Sequence, residues 1–358
     1  MIDISSLTSQ VLTAFFVLSF VLGILTHRTH FCTMGAVADV VNMGDWTRAR
    51  QWMLAAGVAM IGFASLVGLG LIDADKSLYA STRFIWLSTL VGGLMFGYGM
   101  VIASGCGNKA LIRIGGGNLK SVVVFIVMGI SAFATMKGIT AVLRVNTVDL
   151  VAINLPDGAS LSAWGGTGVG YVLGLVLVLA ALRHKDFWTL ENLIAGIGVG
   201  GIVVALWWVS GHLGFVAEHP NTLEPTYLAT SSGRIESLTF VAPVSQTIDW
   251  LMFFSDKTKV MTAGIASVLG VICGAAVSAL RAKTFRLEGF ANAQDLGNHL
   301  IGAVLMGVGG VTAMGCTFGQ GLSGVSTLSL NSFVAIAAII LGCVIALRIQ
   351  AARLERMV

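Results

Sequence analysis

Long apolar segments constrain this chain more than any other feature of its sequence. A bilayer core of about 30 Å is crossed by about 20 predominantly apolar residues in a helix. We identify nine such segments, at about 11–26, 52–72, 84–103, 121–143, 168–182, 193–209, 261–280, 299–314 and 331–347. Hydrophobic residues make up 56% of the chain and charged residues only 11%, which excludes a soluble globular protein. The sequence therefore predicts an all-α polytopic membrane protein with about nine transmembrane helices, forming one integral membrane domain over 1–358.

The basic residues predict the orientation of the chain. Of the 21 Lys and Arg, 14 follow odd-numbered segments, six lie in the tail or after even-numbered segments, and Lys137 lies within the fourth. Cytoplasmic loops of membrane proteins carry an excess of Lys and Arg. We therefore expect the N-terminus outside and the C-terminus in the cytoplasm. The first ten residues have no basic n-region, so a cleaved signal peptide is not expected. The polar stretch 210–260 is expected to be an extramembrane or interfacial insert.

Two segments 210 residues apart resemble each other. LMFGYGMVIASGC (94–106) aligns with VLMGVGGVTAMGC (304–316), and six of the 13 positions are identical. The first copy ends the third apolar segment and the second ends the eighth, so the two are expected to face opposite sides. This predicts an inverted pseudo-two-fold repeat, over about 11–143 and 168–347, with re-entrant Gly-Cys loops. Transporters of this kind hold their substrate near the midplane on broken helices.

Three cysteines share one local setting, in THFCTMGA, ASGCGNKA and AMGCTFGQGLSG. Each follows an apolar run and precedes a candidate helix start, where unpaired N–H groups favour an anion. The candidate substrate-binding residues at these turns are Cys32, Gly105, Cys106, Gly107, Asn108, Lys109, Gly315, Cys316 and Gln320. For each cysteine the alternative is packing beside a tight turn. Asn108 and Gln320 also fit ordinary helix-end chemistry, and Lys109 also fits the excess of basic residues in cytoplasmic loops.

No catalytic, metal or cofactor site is predicted from the remaining residues. No CxxC pair occurs, and His27 and His30 have no convincing acidic or cysteine partner. The sequence has no GxxxxGK[ST] loop for ATP coupling, and no carboxylate lies convincingly inside an apolar segment as a proton site. Downhill flow is therefore favoured over an ion-coupled step, and no nucleic-acid partner is expected. Cys273 and Cys343 lie in uninterrupted apolar helices, where a small packed hydrophobe is expected.

The motifs HRTHFCTMGA (27–36), GLMFGYGMVIASGCGNKALIRIGGGN (93–118) and GAVLMGVGGVTAMGCTFGQGLSGVSTLS (302–329) resemble the YeeE/YedE family of membrane proteins. The characterised member of that family is a thiosulfate transporter. The resemblance implies a bacterial inner-membrane protein with pseudo-symmetric halves and an hourglass shape, and not an enzyme. It places the functional cysteines of the family at Cys32, Cys106 and Cys316. Their thiols would relay thiosulfate inward by transient hydrogen bonds along a central constriction.

The resemblance leaves other functions and partners open. Besides thiosulfate and the lipid bilayer, a cytoplasmic sulfur-carrier protein is a candidate partner. The 210–260 stretch departs from a minimal family member, and relatives linked to selenium or other sulfur compounds leave the substrate open. A membrane thiol-disulfide or sulfurtransferase enzyme would need reactive thiolates, whereas a conducting site for a dianion favours neutral thiols. A general small-solute channel with incidental cysteines is a further alternative.

Overall fold

The computed structural model describes residues 4–156, 158–218 and 223–355. Its α-helices are α1 (Ile4–Arg28), α2 (Thr33–Met43), α3 (Thr47–Gly68), α4 (Trp86–Ile102), α5 (Gly107–Gly115), α6 (Leu119–Lys137), α7 (Ile139–Val145), α8 (Ser162–Gly165), α9 (Thr167–Leu182), α10 (Leu190–Trp208), α11 (Val241–Met252), α12 (Ala263–Arg281), α13 (Ala293–Thr312) and α14 (Leu330–Glu355). Short 3-10 helices lie at Ala74–Lys76, Val148–Leu150 and Lys185–Phe187. A π-helical turn extends α10 over Val209–Leu213, and another, Gly319–Gly324, lies inside a helical segment over 317–326, named the 317–326 helix below.

Strands are few and short in the described part of the chain. β1 (Arg83–Phe84) pairs antiparallel with β2 (Ile153–Asn154), and Arg83 lies opposite Asn154. β3 (Phe215–Val216) pairs antiparallel with β4 (Thr226–Tyr227), and Phe215 lies opposite Tyr227. Both pairs join loops between helices, so the helices alone form the body of the protein.

Seven helical stretches within the described ranges are long and apolar enough to cross a membrane. They are Ile4–Met43, Thr47–Gly68, Trp86–Gly115, Leu119–Lys137, Leu190–Leu213, Ala263–Arg281 and Leu330–Arg353. The prediction of an all-helical, multi-pass membrane protein is confirmed, but the count of nine is not reached. The fifth expected segment is α9, which has only 16 residues. The eighth is α13, whose first two turns contain the polar residues Gln294, Asp295 and His299.

The glycine contact between α4 and α13 sets the centre of the bundle. A Cβ at Gly99 would lie 2.8 Å from the Gly302 carbonyl oxygen, and one at Gly309 would lie 2.6 Å from the Gly92 carbonyl oxygen. No side chain fits between these backbones, which is how small residues allow membrane helices to approach closely. α4 also packs on α14, and α13 packs on α6. Around this centre α1 packs on α12, and α3 packs on α10.

The two Gly-Cys turns end α4 and α13 with the same backbone conformation. Ser104 has φ 59° and Met314 has φ 57°, in the left-handed region that residues other than glycine rarely adopt. The Gly105 N–H donates to the carbonyl oxygen five residues earlier at 2.7 Å, and the Gly315 N–H does the same at 2.8 Å. Each turn therefore closes its helix with the 6→1 hydrogen bond of a Schellman motif and directs the chain into a new helix.

The 210–260 stretch contributes to the interior of the bundle. Its residues 219–222, including His219, lie outside the described residues. After β4 the chain runs inward, and Leu238 and Phe240 are fully buried. α11 then packs on α6 and α12, and Val244 and Thr247 on its inner face are buried. The second half of the stretch therefore reaches the centre of the protein.

Replacing Gly309 with alanine tests the glycine contact. The added methyl group would meet the Gly92 carbonyl oxygen, and backbone atoms cannot move aside without separating α4 from α13. We expect the free energy of unfolding in detergent to fall by about 1–3 kcal/mol, the usual cost of overpacking. Gly201→Ala is the matched control, because a Cβ at Gly201 meets nothing within 4 Å. Equal melting temperatures for the two variants would show that the contact is not tight.

Candidate functional site: three thiols between two cavities

Four helix N-termini lie next to one another in the centre of the bundle. They belong to α2, α5, α11 and the 317–326 helix, and the residues that precede them are Cys32, Cys106, Phe240 and Cys316. The Phe240 ring lies 5.4 Å from the Phe318 ring, and a Cβ at Gly107 would lie 3.8 Å from the Phe240 Cβ. Helix N-termini carry partial positive charge and unpaired N–H groups, so this arrangement favours a negatively charged ligand.

Two of the cysteines cap the helices that follow them. The Cys32 thiol accepts a hydrogen bond from the Gly35 N–H at 3.5 Å, and the Cys316 thiol accepts one from the Gly319 N–H at 3.4 Å. A thiol is a weak acceptor, so these N–H groups keep part of their capacity to bind an anion. The break in each helix therefore supplies both a sulfur atom and backbone donors at the same point.

The three thiols form a short, buried series. The Cys106 thiol interacts directly with the Cys32 thiol and lies beside Thr317, which follows Cys316. All three are free thiols, and none has more than 4% of its surface exposed. The described residues therefore hold the three sulfur atoms in one connected region, closed to solvent.

Buried polar groups without partners surround this series. Both side-chain atoms of Asn108 lack a hydrogen-bond partner among the described residues, and so do the hydroxyl groups of Thr33 and Thr317. An unsatisfied buried polar group costs about 1–3 kcal/mol. Thr317 was not identified from the sequence, although its position directly after Cys316 was a usable signal. A polar ligand between the thiols would satisfy some of these groups.

An aromatic cluster closes the same region. The Phe31 ring stacks on the Trp52 ring at 4.8 Å, and the Phe318 ring contacts both, at 5.9 Å and 5.4 Å. Phe240 completes the cluster against Phe318. None of these rings was predicted from the sequence, because Trp52 in α3 and Phe240 in the 210–260 stretch are far from the cysteine motifs along the chain. The four rings therefore pack together beside the turns that hold Cys32 and Cys316.

A cavity of about 270 Å³, named the histidine cavity, lies at one end of the thiol series. Its lining consists of His27, His30, Lys109, Ile112, Arg113, Gly116, Asn118, Thr284, Arg286 and Glu288. Lys109 lies in the first turn of α5 after Cys106, and His30 precedes Cys32 by two residues. The cavity therefore begins where the buried thiols end.

A second cavity, of about 320 Å³ and named the tyrosine cavity, begins at the other Gly-Cys turn. Its lining consists of Leu78, Tyr79, Met136, Arg144, Thr239, Ala242, Gly310, Val311, Met314 and Gly315. Burial raises the pKa of the Tyr79 hydroxyl well above its usual value, so this group stays protonated and can donate a hydrogen bond. A wider opening of about 710 Å³ shares Leu78 and Met314 with this cavity and is lined by Arg83 and Arg234.

The two cavities lie at opposite ends of α13. Arg286 of the histidine cavity comes shortly before the start of this helix, and Met314 of the tyrosine cavity comes two residues after its end. Between the cavities lie Cys316, Cys106 and Cys32. Each of the three buried cysteines therefore lies, along the chain, within three residues of a residue that lines one of the two cavities.

The other sequence-predicted residues have different surroundings. Lys109 lines the histidine cavity and Gly315 lines the tyrosine cavity. A Cβ at Gly105 would lie 2.9 Å from the Lys109 Cγ, so this glycine makes room for the lysine. The Gln320 Nε2 donates to the Ala313 carbonyl oxygen at 2.6 Å, and its Oε1 accepts from the Ser332 hydroxyl at 2.5 Å. Gln320 therefore fixes the second Gly-Cys turn to α14.

Comparison with known proteins gives the chain relatives over most of its length. It is 26% identical to the thiosulfate transporter TsuA of Escherichia coli K12, over 90% of this chain and 89% of that protein. It is 28% identical to the thiosulfate transporter TsuA of Spirochaeta thermophila, over 90% of this chain and 94% of that protein. A shorter match, 33% identical over 24% of this chain and 19% of the relative, is to the probable transporter YedE of Salmonella typhimurium.

The family match covers all three cysteine turns. Residues 28–345 match the family described as sulphur transport, which extends from the end of α1 to the C-terminal half of α14. The YeeE/YedE resemblance of the sequence motifs is confirmed by this match and by the relatives. The chain belongs to the sulphur transport family of membrane proteins.

Proposed function

We propose that this protein takes up a small sulfur-containing anion, thiosulfate first, across the bacterial inner membrane. The observation that carries the proposal is the connected series of three buried thiols next to the histidine and tyrosine cavities. The two full-length relatives are named thiosulfate transporters, which supports the same substrate. A related sulfur or selenium oxyanion remains the alternative substrate.

The thiols act in the relay as neutral hydrogen-bond donors. A thiolate would repel a dianion, whereas an S–H group donates weakly and releases its acceptor easily. The anion passes from the tyrosine cavity to Cys316, then to Cys106 and Cys32, and leaves into the histidine cavity. At each step the N–H groups of a nearby helix N-terminus offset part of its charge. Asn108 and Thr317 donate to its oxygen atoms, and the aromatic cluster moves aside while it passes.

The two halves of the chain form an inverted repeat in this proposal, and the Gly-Cys turns enter the membrane from opposite sides. Three observations support it: the matched backbone of the two turns, the reciprocal glycine contacts of α4 and α13, and matched helix pairs. The contact of α1 with α12 corresponds to that of α10 with α3, and the contact of α4 with α14 corresponds to that of α13 with α6. α9 and α13 then complete nine transmembrane segments.

The proposed orientation places the histidine cavity on the cytoplasmic side of the membrane. The distribution of Lys and Arg along the chain supports an N-terminus outside and a C-terminus inside. The 210–260 stretch then covers the outer side, and Thr239 within it lines the tyrosine cavity. Flow is downhill, maintained by consumption of the anion in the cytoplasm, where a sulfur-carrier protein is a candidate recipient.

A second candidate function, thiol-disulfide exchange or sulfur transfer, is favoured by the direct contact between Cys32 and Cys106. Two neighbouring thiols form a disulfide by losing two electrons and two protons to an oxidant. Mass spectrometry of the protein after turnover with thiosulfate distinguishes the two functions. We expect unmodified thiols, whereas a persulfide or a Cys32–Cys106 disulfide formed at the rate of turnover would favour the enzyme.

Cysteine replacements test the relay directly. We expect Cys106→Ala and Cys316→Ala each to lower radiolabelled thiosulfate uptake at least tenfold, because each removes one donor from a series with no bypass. Uptake is measured in cells that lack other thiosulfate importers, at matched expression. Cys273→Ala is the control, since Cys273 is exposed on α12 outside the series. Wild-type uptake by both site variants would rule out the relay.

Thr317→Val tests the orphaned hydroxyl as a substrate donor. The replacement removes only the contact of this hydroxyl with the Cys106 thiol, a weak hydrogen-bonding partner, so the melting temperature should fall little. A hydrogen bond to a charged group contributes about 1.5–3 kcal/mol, so uptake efficiency should fall about tenfold or more. Thr317→Ser keeps the hydroxyl and should restore most of the uptake. The role is excluded if valine transports as well as threonine, or if serine is as defective as valine.

A further inference from the structure

We propose that the histidine cavity is a second anion-binding site, which holds a small divalent oxyanion by charge after it has left the thiols. The inference rests on the proposed function for its substrate, but the site itself contains no sulfur atom. Its binding groups are Lys109, Arg113 and Arg286.

These three cations have no partners within the described ranges. None of their side chains forms a hydrogen bond or an ion pair there, whereas Arg48, Lys120, Arg144 and Lys259 are each paired with an aspartate. Lys109 and Arg113 are half-buried, and Arg286 is exposed at the rim of the cavity. Unpaired cations that share one cavity repel one another, and a bound anion would relieve that repulsion.

The remaining groups of the cavity leave its charge positive. Glu288 is the only carboxylate in the lining, and its Oε2 accepts a hydrogen bond from Asn118 Nδ2 at 2.7 Å. His27 Nδ1 is engaged with the Ser278 hydroxyl at 3.0 Å. With both histidines neutral, three cations and one carboxylate leave a net charge of +2, which matches a dianion.

The size and position of the cavity fit a site that binds the anion between the thiols and the cytoplasm. Its volume of about 270 Å³ equals about nine water molecules at the ~30 Å³ each occupies in the liquid, so an oxyanion fits with part of its hydration shell. Lys109 comes three positions after Cys106 at the start of α5, and it also lies near Cys32, the last thiol of the relay. The anion therefore moves from weak thiol donors to full positive charges in a single step, which favours release from the closed region.

A site built from charge alone should not distinguish thiosulfate from sulfate. Both are tetrahedral dianions, and the lining offers ammonium and guanidinium groups without a thiol. The thiol series then discriminates between sulfur anions. The histidine cavity binds the anion without selecting it. The two sites differ in a way that can be measured separately.

Equilibrium binding to the purified full chain in lipid nanodiscs tests the inference. The parent for the test is the triple variant Cys32→Ala, Cys106→Ala and Cys316→Ala, which removes the thiols and keeps the cationic groups of the histidine cavity. We expect it to bind radiolabelled thiosulfate, with sulfate competing within about threefold of unlabelled thiosulfate. Raising the ionic strength should weaken binding, because salt screens exposed charges.

Charge-removing replacements in this parent identify the site. Arg113→Gln combined with Arg286→Gln should raise the Kd for thiosulfate at least tenfold. Arg113→Lys combined with Arg286→Lys should keep the Kd within about threefold, which separates loss of charge from misfolding. Arg183→Gln is the matched control, because Arg183 is an exposed arginine at the end of α9, outside the cavity.

The inference is overturned if the triple cysteine variant binds no thiosulfate, or if the two glutamine replacements leave its Kd unchanged. Failure of the proposed function gives a different result. In that case the wild-type protein would transport thiosulfate independently of its cysteines, or would not transport it at all. Binding to the histidine cavity is measured separately, as the Kd of the triple cysteine variant.

Discussion

Backbone polar groups at the centre of an apolar bundle must find partners, and this requirement shapes the middle of the protein. Non-helical backbone at membrane depth persists only where protein or a water-lined space surrounds it. Here α4 and α13 end in identical left-handed turns, and new helices begin at once. Close glycine packing between α4 and α13 brings the two turns into the same region. At the helix start after α13 the Gly319 N–H has the Cys316 thiol as a weak acceptor, and at the start of α2 the Gly35 N–H has the Cys32 thiol.

The distribution of charge along the proposed path follows from this arrangement. The middle contains thiols, hydroxyls, an amide and helix N-termini, and its one nearby ion pair among the described residues is that of Arg48, which packs against Gly35, with Asp39. Lys109, Arg113 and Arg286 line the histidine cavity, and Arg83 and Arg234 line the wide opening at the other end. In the proposed relay, an anion is attracted at both ends and held weakly between them. A solute must leave each site easily for transport to be fast, and an unpaired cation in the middle would trap a dianion, whereas Arg48 is neutralised by Asp39.

Local features of this structure could be predicted from the sequence, and long-range ones could not. The apolar segments, the two Gly-Cys turns and the three cysteines follow from composition, repetition and helix-start patterns. Cys32 and Cys106 were identified separately, but nothing in their local sequences indicated that their thiols would touch. Phe240 was missed because the polar stretch 210–260 was expected outside the bundle, and Arg286 because it meets Arg113 only through folding. The short α9 and the polar start of α13 explain why the count of seven apolar helices differs from nine.

The most direct test of the account is a structure of the protein with selenosulfate, a thiosulfate analogue whose selenium atom is visible by anomalous scattering. The account predicts selenium peaks within hydrogen-bond distance of Cys316 or Cys106, in the region between the two cavities. A further peak in the histidine cavity is also expected, but peaks only there or on the outer surface, with none beside the three cysteines, would contradict the thiol relay.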